Sequence, residues 1–173
     1  MVNEKQLKDA FQKMQNGDRE QFALIYEQLK KPVFTIAYRI TLSQASAEDI
    51  THDLLLELLS SPPPPKVENP RAWIFKMARN LAIDVTRKKT PIDIEEFGEI
   101  PTDTMQNEDV RIDVESALEK LPLDEREILS LHLDCGLKFS EISKLTGLSM
   151  STAYRKYKKA LETVRDMLNG VKR

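Results

Sequence analysis

The sequence predicts an all-α protein made of two small helical domains joined by an acidic linker, the second domain being a helix-turn-helix. Three observations predict it. Apolar residues recur at three- and four-residue spacing behind N-cap signals through most of the 173 residues. Five glycines and few alternating β-branched runs leave no strand candidate of weight, and no repeat is visible. Between 93 and 110 the period is lost, and seven acids (Asp93, Glu95, Glu96, Glu99, Asp103, Glu108, Asp109) stand without a base. The expected organisation is a domain over 1–92, a linker over 93–110 and a domain over 111–173.

The elements follow in order. "NGDREQFALIYEQLKK" offers Asp18 as N-cap with Gln21 at the capping-box position, then Phe22, Ile25 and Leu29 at helical spacing. Pro32 is expected to break or restart this helix, which "VFTIAYRI" continues. "SQASAEDITHDLLLELLSS" starts afresh, with Ser46 as N-cap, Asp49 at N3 and a helix to about Leu59. "SPPPPK" cannot be helical and reads as an extended spacer. Asn69 as cap and Pro70 at N1 then open a helix running to about Lys89, with Pro91 after it. Its expected buried stripe is Trp73, Ile74, Met77, Ala78, Leu81, Ala82 and Val85. Its outer stripe is Lys76, Asn80, Asp84 and Lys88, and taken alone that stripe reads as a solvated surface. The linker, fully extended, could reach roughly 60 Å. Four helical segments follow it: about 111–120; "LDEREILSLHLD" with Asp124 as cap; "FSEISKLTG"; and "SMSTAYRKYKKALETVRDML".

The last two segments have a helix-turn-helix layout. Ile142 and Leu145 point inward, Gly147 can take the left-handed turn, Leu148 plugs the corner and Ser149 caps the second helix. Ala153, Tyr157, Ala160, Leu161 and Val164 are its expected inward residues. Tyr154, Arg155, Lys156, Lys158 and Lys159 face out. Four cations without an acid over 149–161 suit phosphates and guanine edges in a major groove. A solvated helical hairpin is the plainer reading, and the glycine turn and the small residue at Ala153 favour DNA binding over it.

Charge and composition exclude other classes. The net charge of −2 hides two mildly basic ends, 14 lysines and arginines against 11 acids over 1–92 and 12 against 10 over 111–173, around the acidic middle. Local patches therefore bear on nucleic acid more than overall charge does. Cys135 has no internal disulfide partner, which fits a reducing cytoplasm. "MVNEKQLKDA" is polar and lacks a signal core, and no apolar run approaches the roughly 20 residues that span a bilayer, so no membrane insertion is expected. Two scattered histidines and one cysteine make no metal set, and no glycine-rich loop cradles phosphate. An enzyme, a cofactor and a metal are not expected.

"AEDI" leading a helix, "NPRAWIFKMARNLAIDVTRKK", an acidic interval, "LPLDEREILSL" and "FSEISKLTGLSMSTAYRKYKKAL" together resemble an extracytoplasmic-function (ECF) sigma factor of bacterial RNA polymerase. The resemblance covers nearly the whole chain, and four modest motifs in order make it specific. It implies a first domain that binds core polymerase and opens the minus-ten element, and a second that reads the minus-thirty-five element to direct transcription initiation. It implies that Asn80 and Asp84 face the melted strand, with Arg79, Arg87, Lys88 and Lys89 on its phosphates. It implies a polymerase contact at Asp49, His52, Asp53 and Glu57, and minus-thirty-five contacts at Thr152, Tyr154, Arg155, Lys156, Lys158 and Lys159. Partners would be core polymerase, promoter DNA and, with no further C-terminal domain in the chain, a separate anti-sigma factor; the setting would be the cytoplasm. The sequence departs from the family where His52 replaces a usual glutamine, where Leu55 and Leu56 replace aromatics, at Tyr154–Lys156, and at "PPPPKVEN", where the family captures a flipped base.

Two rival readings keep the same helices. A helix-turn-helix transcription regulator would act without core polymerase and use its N-terminal half to dimerise or sense. An interaction protein would keep the fold without opening promoters. The Asn/Asp stripe beside a cationic tail discriminates, since a dimerisation helix has no need of it.

Overall fold

The computed structural model describes residues 3–88 and 108–171, with side chains over 3–88 and 114–169. The described residues form eight helices and no strand. They divide into two compact units, Met1–Gly98 and Glu99–Arg173. The expected linker lies outside the described residues except for its last three positions, which begin a helix. Lys89 and Pro91 also lie outside them.

The first unit holds α1 (Glu4–Gln15), α2 (Gln21–Thr41), α3 (Gln44–Ser60) and α4 (Pro70–Lys88). α1 is not among the elements expected from sequence. Its signal is present in Leu7, Ala10, Phe11 and Met14, a buried i, i+3, i+4, i+7 stripe. Asn3 caps it by accepting the Gln6 N–H at 3.1 Å. α2 begins three residues after Asp18, whose carboxylate instead accepts the Glu20 N–H at 3.2 Å and the Gln21 side-chain amide at 2.9 Å.

α2 also runs unbroken through Pro32. A proline inside a helix costs about 3 kcal/mol. Leu29, Val33 and Ile36, at most 1% exposed, surround it. Burying each contributes about 1.5–3 kcal/mol, so packing outweighs the missing hydrogen bond.

Leu42 ends α2 in the left-handed region (φ 51°), its N–H bonded to the Tyr38 carbonyl at 2.8 Å. That turn makes Ser43 extended, and its hydroxyl accepts the Ser46 N–H at 3.3 Å. Ser43 is therefore the α3 cap in place of Ser46, which lies in the first turn. Asn69 caps α4 as expected, accepting the Ala72 N–H at 2.9 Å.

The second unit holds α5 (Glu108–Glu119), α6 (Leu123–Leu133), α7 (Phe139–Thr146) and α8 (Met150–Val171). Leu118, Leu121, Leu129 and Ala160 form one cluster of its core, with Val114, Tyr157 and Val164 packed against them, and Ile128, Leu131, Leu137 and Ile142 are buried as well. α6 starts behind Pro122, two residues earlier than the Asp124 cap requires; Asp124 sits in the first turn and accepts the Glu125 N–H at 2.9 Å. Gly147 closes α7 at φ 76°, where an L side chain is strained. Ser149 caps α8 by accepting the Thr152 N–H at 3.2 Å.

Candidate nucleic-acid and polymerase interfaces

The inward arc of α4 is Arg71, Ile74, Phe75, Ala78 and Ala82. It is rotated from the expected stripe toward Phe75, which is fully buried. Ile74, Ala78 and Ala82 lie where the sequence puts them. Trp73, Met77 and Val85 are partly exposed, and Leu81 is exposed. The miss has a simple cause: Trp73, Met77, Leu81 and Val85 form an i, i+4 row beside the buried one, and periodicity alone does not say which row faces the core.

The outer face of α4 carries Lys76, Asn80, Asp84, Arg87 and Lys88, all exposed, with Arg79 partly covered. Asn80 follows Trp73 by seven residues, two helical turns, so the indole shares the Asn80–Asp84 side. The arrangement is a partly exposed aromatic ring, an amide that both donates and accepts, a carboxylate and a basic last turn.

α1 and the proline loop flank the start of α4. Glu4 forms an ion pair with the largely buried Arg71, Oε1 to Nη2 at 2.8 Å. The Gln15 side-chain amide donates to the Pro63 carbonyl, and Pro63 is buried. Pro64 accepts the Val67 N–H at 2.9 Å, so the proline run ends in a turn where the sequence predicts an extended spacer. An open groove of about 330 Å³ lies between α1 and the loop, with Phe11, Gln15, Pro63 and Val67 among its walls.

α3 buries Ala47, Ile50, Thr51, Leu54, Leu55 and Leu58. Asp49, His52, Asp53 and Glu57 occupy its exposed side, where the His52 and Asp53 polar atoms lie 3.6 Å apart. Leu56, 47% exposed, stands among them. The face is acidic around an apolar spot.

In the second unit, Ala153 and Ala160 seat α8 at zero exposure, while Tyr157 and Val164 are partly covered. Leu161, expected inward, is 37% exposed. The α7–α8 corner carries an aromatic cluster: His132 stacks on Phe139 at 4.5 Å, and Tyr154 and Tyr157 each meet Phe139 edge-on at 5.3 Å. The His132 Nδ1 lies 2.8 Å from the Leu137 carbonyl, so that nitrogen carries the proton and donates.

The outward cations of α8 do not form one set. Arg155 and Lys158 are exposed. Lys156 is ion-paired with Asp124, and Lys159 with Glu125 at 2.6 Å, both acids in the first turn of α6. The Lys156 ammonium holds the Asp124 carboxyl below its ordinary range, and the Glu125 carboxylate raises the Lys159 ammonium above its own. Thr152 is partly covered and its hydroxyl lies 2.8 Å from that of Ser149, inside the α8 cap. Tyr154 is half exposed. Sequence reasoning missed the ion pairs because it scored Lys156 and Lys159 on their own helix, without the acids of α6.

Among the described residues no helix is long and apolar enough to cross a membrane.

Two family models match: "Sigma-70 region 2" over residues 25–91 and "Sigma-70, region 4" over 111–164, together more than half of the chain. The RNA polymerase sigma factor SigV of Bacillus subtilis (strain 168) is 28% identical, over 80% of this chain and 86% of that protein. The ECF RNA polymerase sigma factor SigE of Mycolicibacterium smegmatis is 25% identical over 79% of this chain, which spans 57% of that protein's length. The sigma factor RpoE of Bartonella quintana, solved in complex with the anti-sigma factor NepR, superposes with a TM-score of 0.69 at 22% identity, over 82% of this chain and 92% of its own. The region-2 match takes in the helices that carry the α3 and α4 faces, the region-4 match takes in the helix-turn-helix, and the chain belongs to the sigma-70 family, in its ECF group.

Proposed function

We propose that this chain directs core RNA polymerase to promoters, its first unit docking on core and holding the opened minus-ten strand, its second reading the minus-thirty-five element. It acts in the cytoplasm as an initiation factor with no catalytic chemistry of its own. The observation that carries the reading is the outer face of α4. A helix locked by Phe75 and Ile74 on one side presents Trp73, Asn80 and Asp84 on the other, ending in Arg87 and Lys88. Aromatic rings stack on unpaired bases with little regard to sequence, amides read base edges, and cations hold the backbone. Trp73 joins this set because of its exposure, in place of the core role its periodicity predicts.

Asp49, His52, Asp53 and Glu57 of α3 meet core polymerase, with Leu56 as the apolar centre of the contact. Thr152, Tyr154, Arg155 and Lys158 of α8 meet duplex DNA, and the place of Lys156 and Lys159 depends on their acid partners. The neighbour RpoE binds the anti-sigma factor NepR; a partner of that kind, covering the α3 or α8 face, regulates this chain.

Run-off transcription with core enzyme on genomic fragments tests the reading. Discrete transcripts that need both this chain and core are expected, and they reveal the promoter. DNA binding that is indifferent to core, with no transcript from any fragment, would overturn it in favour of a regulator acting without polymerase.

A further inference from the structure

The first turn of α6 packs against α8 and places two carboxylates on two of the four cations in its N-terminal half. We propose that Asp124 and Glu125 are positioning residues that withhold Lys156 and Lys159 from the DNA backbone, so that α8 meets DNA with Arg155 and Lys158 as its working cations. This deepens the reading of α8 as the duplex-facing helix and rests on it.

The two pairs are held differently. The Glu125 side chain is 5% exposed and Lys159 caps it from solvent with a side chain 66% exposed. If Lys159 left for a phosphate, a buried carboxylate would lose its compensating charge, which proteins tolerate poorly. Lys159 therefore stays. In the second pair the lysine is the covered member: Lys156 is 27% exposed and Asp124 50%. Reaching a phosphate requires Lys156 to give up that cover as well as its partner.

The consequence is on specificity. Backbone contacts raise affinity for every sequence alike, and each neutralised phosphate adds roughly 0.9 to the slope of log K against log salt. Removing two lysines from the backbone set lowers binding to all DNA. It leaves the choice of site to Arg155, which can bond a guanine edge, and to its exposed neighbours.

The test measures binding of the full chain to a short duplex of mixed sequence across a salt series. Asp124→Asn and Glu125→Gln are compared with the pairs Asp124→Asn/Lys156→Met and Glu125→Gln/Lys159→Met. Each acid replacement frees one lysine, so the slope should steepen by roughly one and affinity at low salt should rise several-fold. The added Lys→Met change should return both to the wild-type value. An increase that survives loss of the lysine would show that the acids act as diffuse charge, and an unchanged slope in both acid variants would show that the lysines reach DNA in the wild type; either result overturns the proposal. If Glu125→Gln loses its helical circular dichroism, the exposed Asp124 pair decides. Arg155→Ala is the control for the underlying reading: if it binds duplex as tightly as wild type in every background, α8 does not face DNA, which is a different failure from an α6 effect that is absent while Arg155 matters.

Discussion

Trp73 and Phe75 stand two residues apart on α4 and differ in burial. Phe75 is fully buried, and Phe75→Ala should cost about 3–5 kcal/mol of stability in urea unfolding. Trp73 keeps part of its ring in solvent, so Trp73→Ala should cost clearly less while reducing capture of single-stranded DNA. Equal destabilisation by the two would return Trp73 to the core. Asp124 gives a second prediction at this scale. Its folded pKa lies below its unfolded value, so the Lys156 pair adds stability above the ordinary carboxylate pKa of about 3.9 and loses it as pH falls through the folded value. Half of the Asp124 side chain is in solvent, which limits this to about 1 kcal/mol or less. Lys159 works on the other side: its pKa is raised, so its pair stabilises below about pH 10.4 and fades as pH rises through the raised value. Asp124→Asn should therefore be less stable than wild type at neutral pH and converge with it in acid, as thermal melts across pH would reveal.

At the scale of elements, α1 braces the proline loop and the α4 entry through Gln15–Pro63 and Glu4–Arg71. Gln15→Ala should lower stability by about 0.5–1.5 kcal/mol, the worth of one hydrogen bond, and should alter minus-ten preference by loosening the loop. An unchanged preference on a panel of minus-ten variants would confine α1 to a structural part. On α3, Asp49→Lys or Asp53→Lys should weaken core binding with helicity intact, because exposed interface charges steer and orient docking; normal binding by both would place the contact elsewhere. Sequence carried much of this architecture. The α4 cap, the Gly147 turn and the exposed side of α3 are local signals, set by a few neighbouring residues, and they are where the sequence puts them. Continuity of α2 through Pro32 was not legible, because the packing that outweighs the proline comes from other helices. Ser43 was overlooked for Ser46 because the left-handed turn at Leu42 that moves the cap is not a glycine. α1 was legible in its Leu7–Met14 stripe but concealed by its polar composition. The α4 rotation and the Lys156 and Lys159 pairs needed the neighbouring elements in place, since both are decided by contacts between helices.

The whole molecule joins two tasks that draw on different energies. In the proposed function the second unit binds duplex without changing it, whereas the first offsets the cost of unpairing bases with contacts made only to the opened strand. Substitutions in the two units should therefore separate by template. Asn80→Ala should slow open-complex formation on closed duplex, each lost base contact being worth about 1–3 kcal/mol, and a pre-melted promoter should restore much of the loss. Arg155→Ala should weaken binding to closed and pre-melted templates alike, by about 1–3 kcal/mol if the guanidinium grips a guanine edge, because its contact precedes melting. The residues lie in separate compact units, so the double variant should show the sum of the two losses within about 0.5 kcal/mol. Permanganate reactivity of melted thymines reports the first loss, and binding of holoenzyme to each template reports the second. Wild-type melting of closed duplex by Asn80→Ala would reduce the polar stripe of α4 to a solvated face. A loss that pre-melting leaves untouched would place Asn80 in the docking step and not in the opening of DNA.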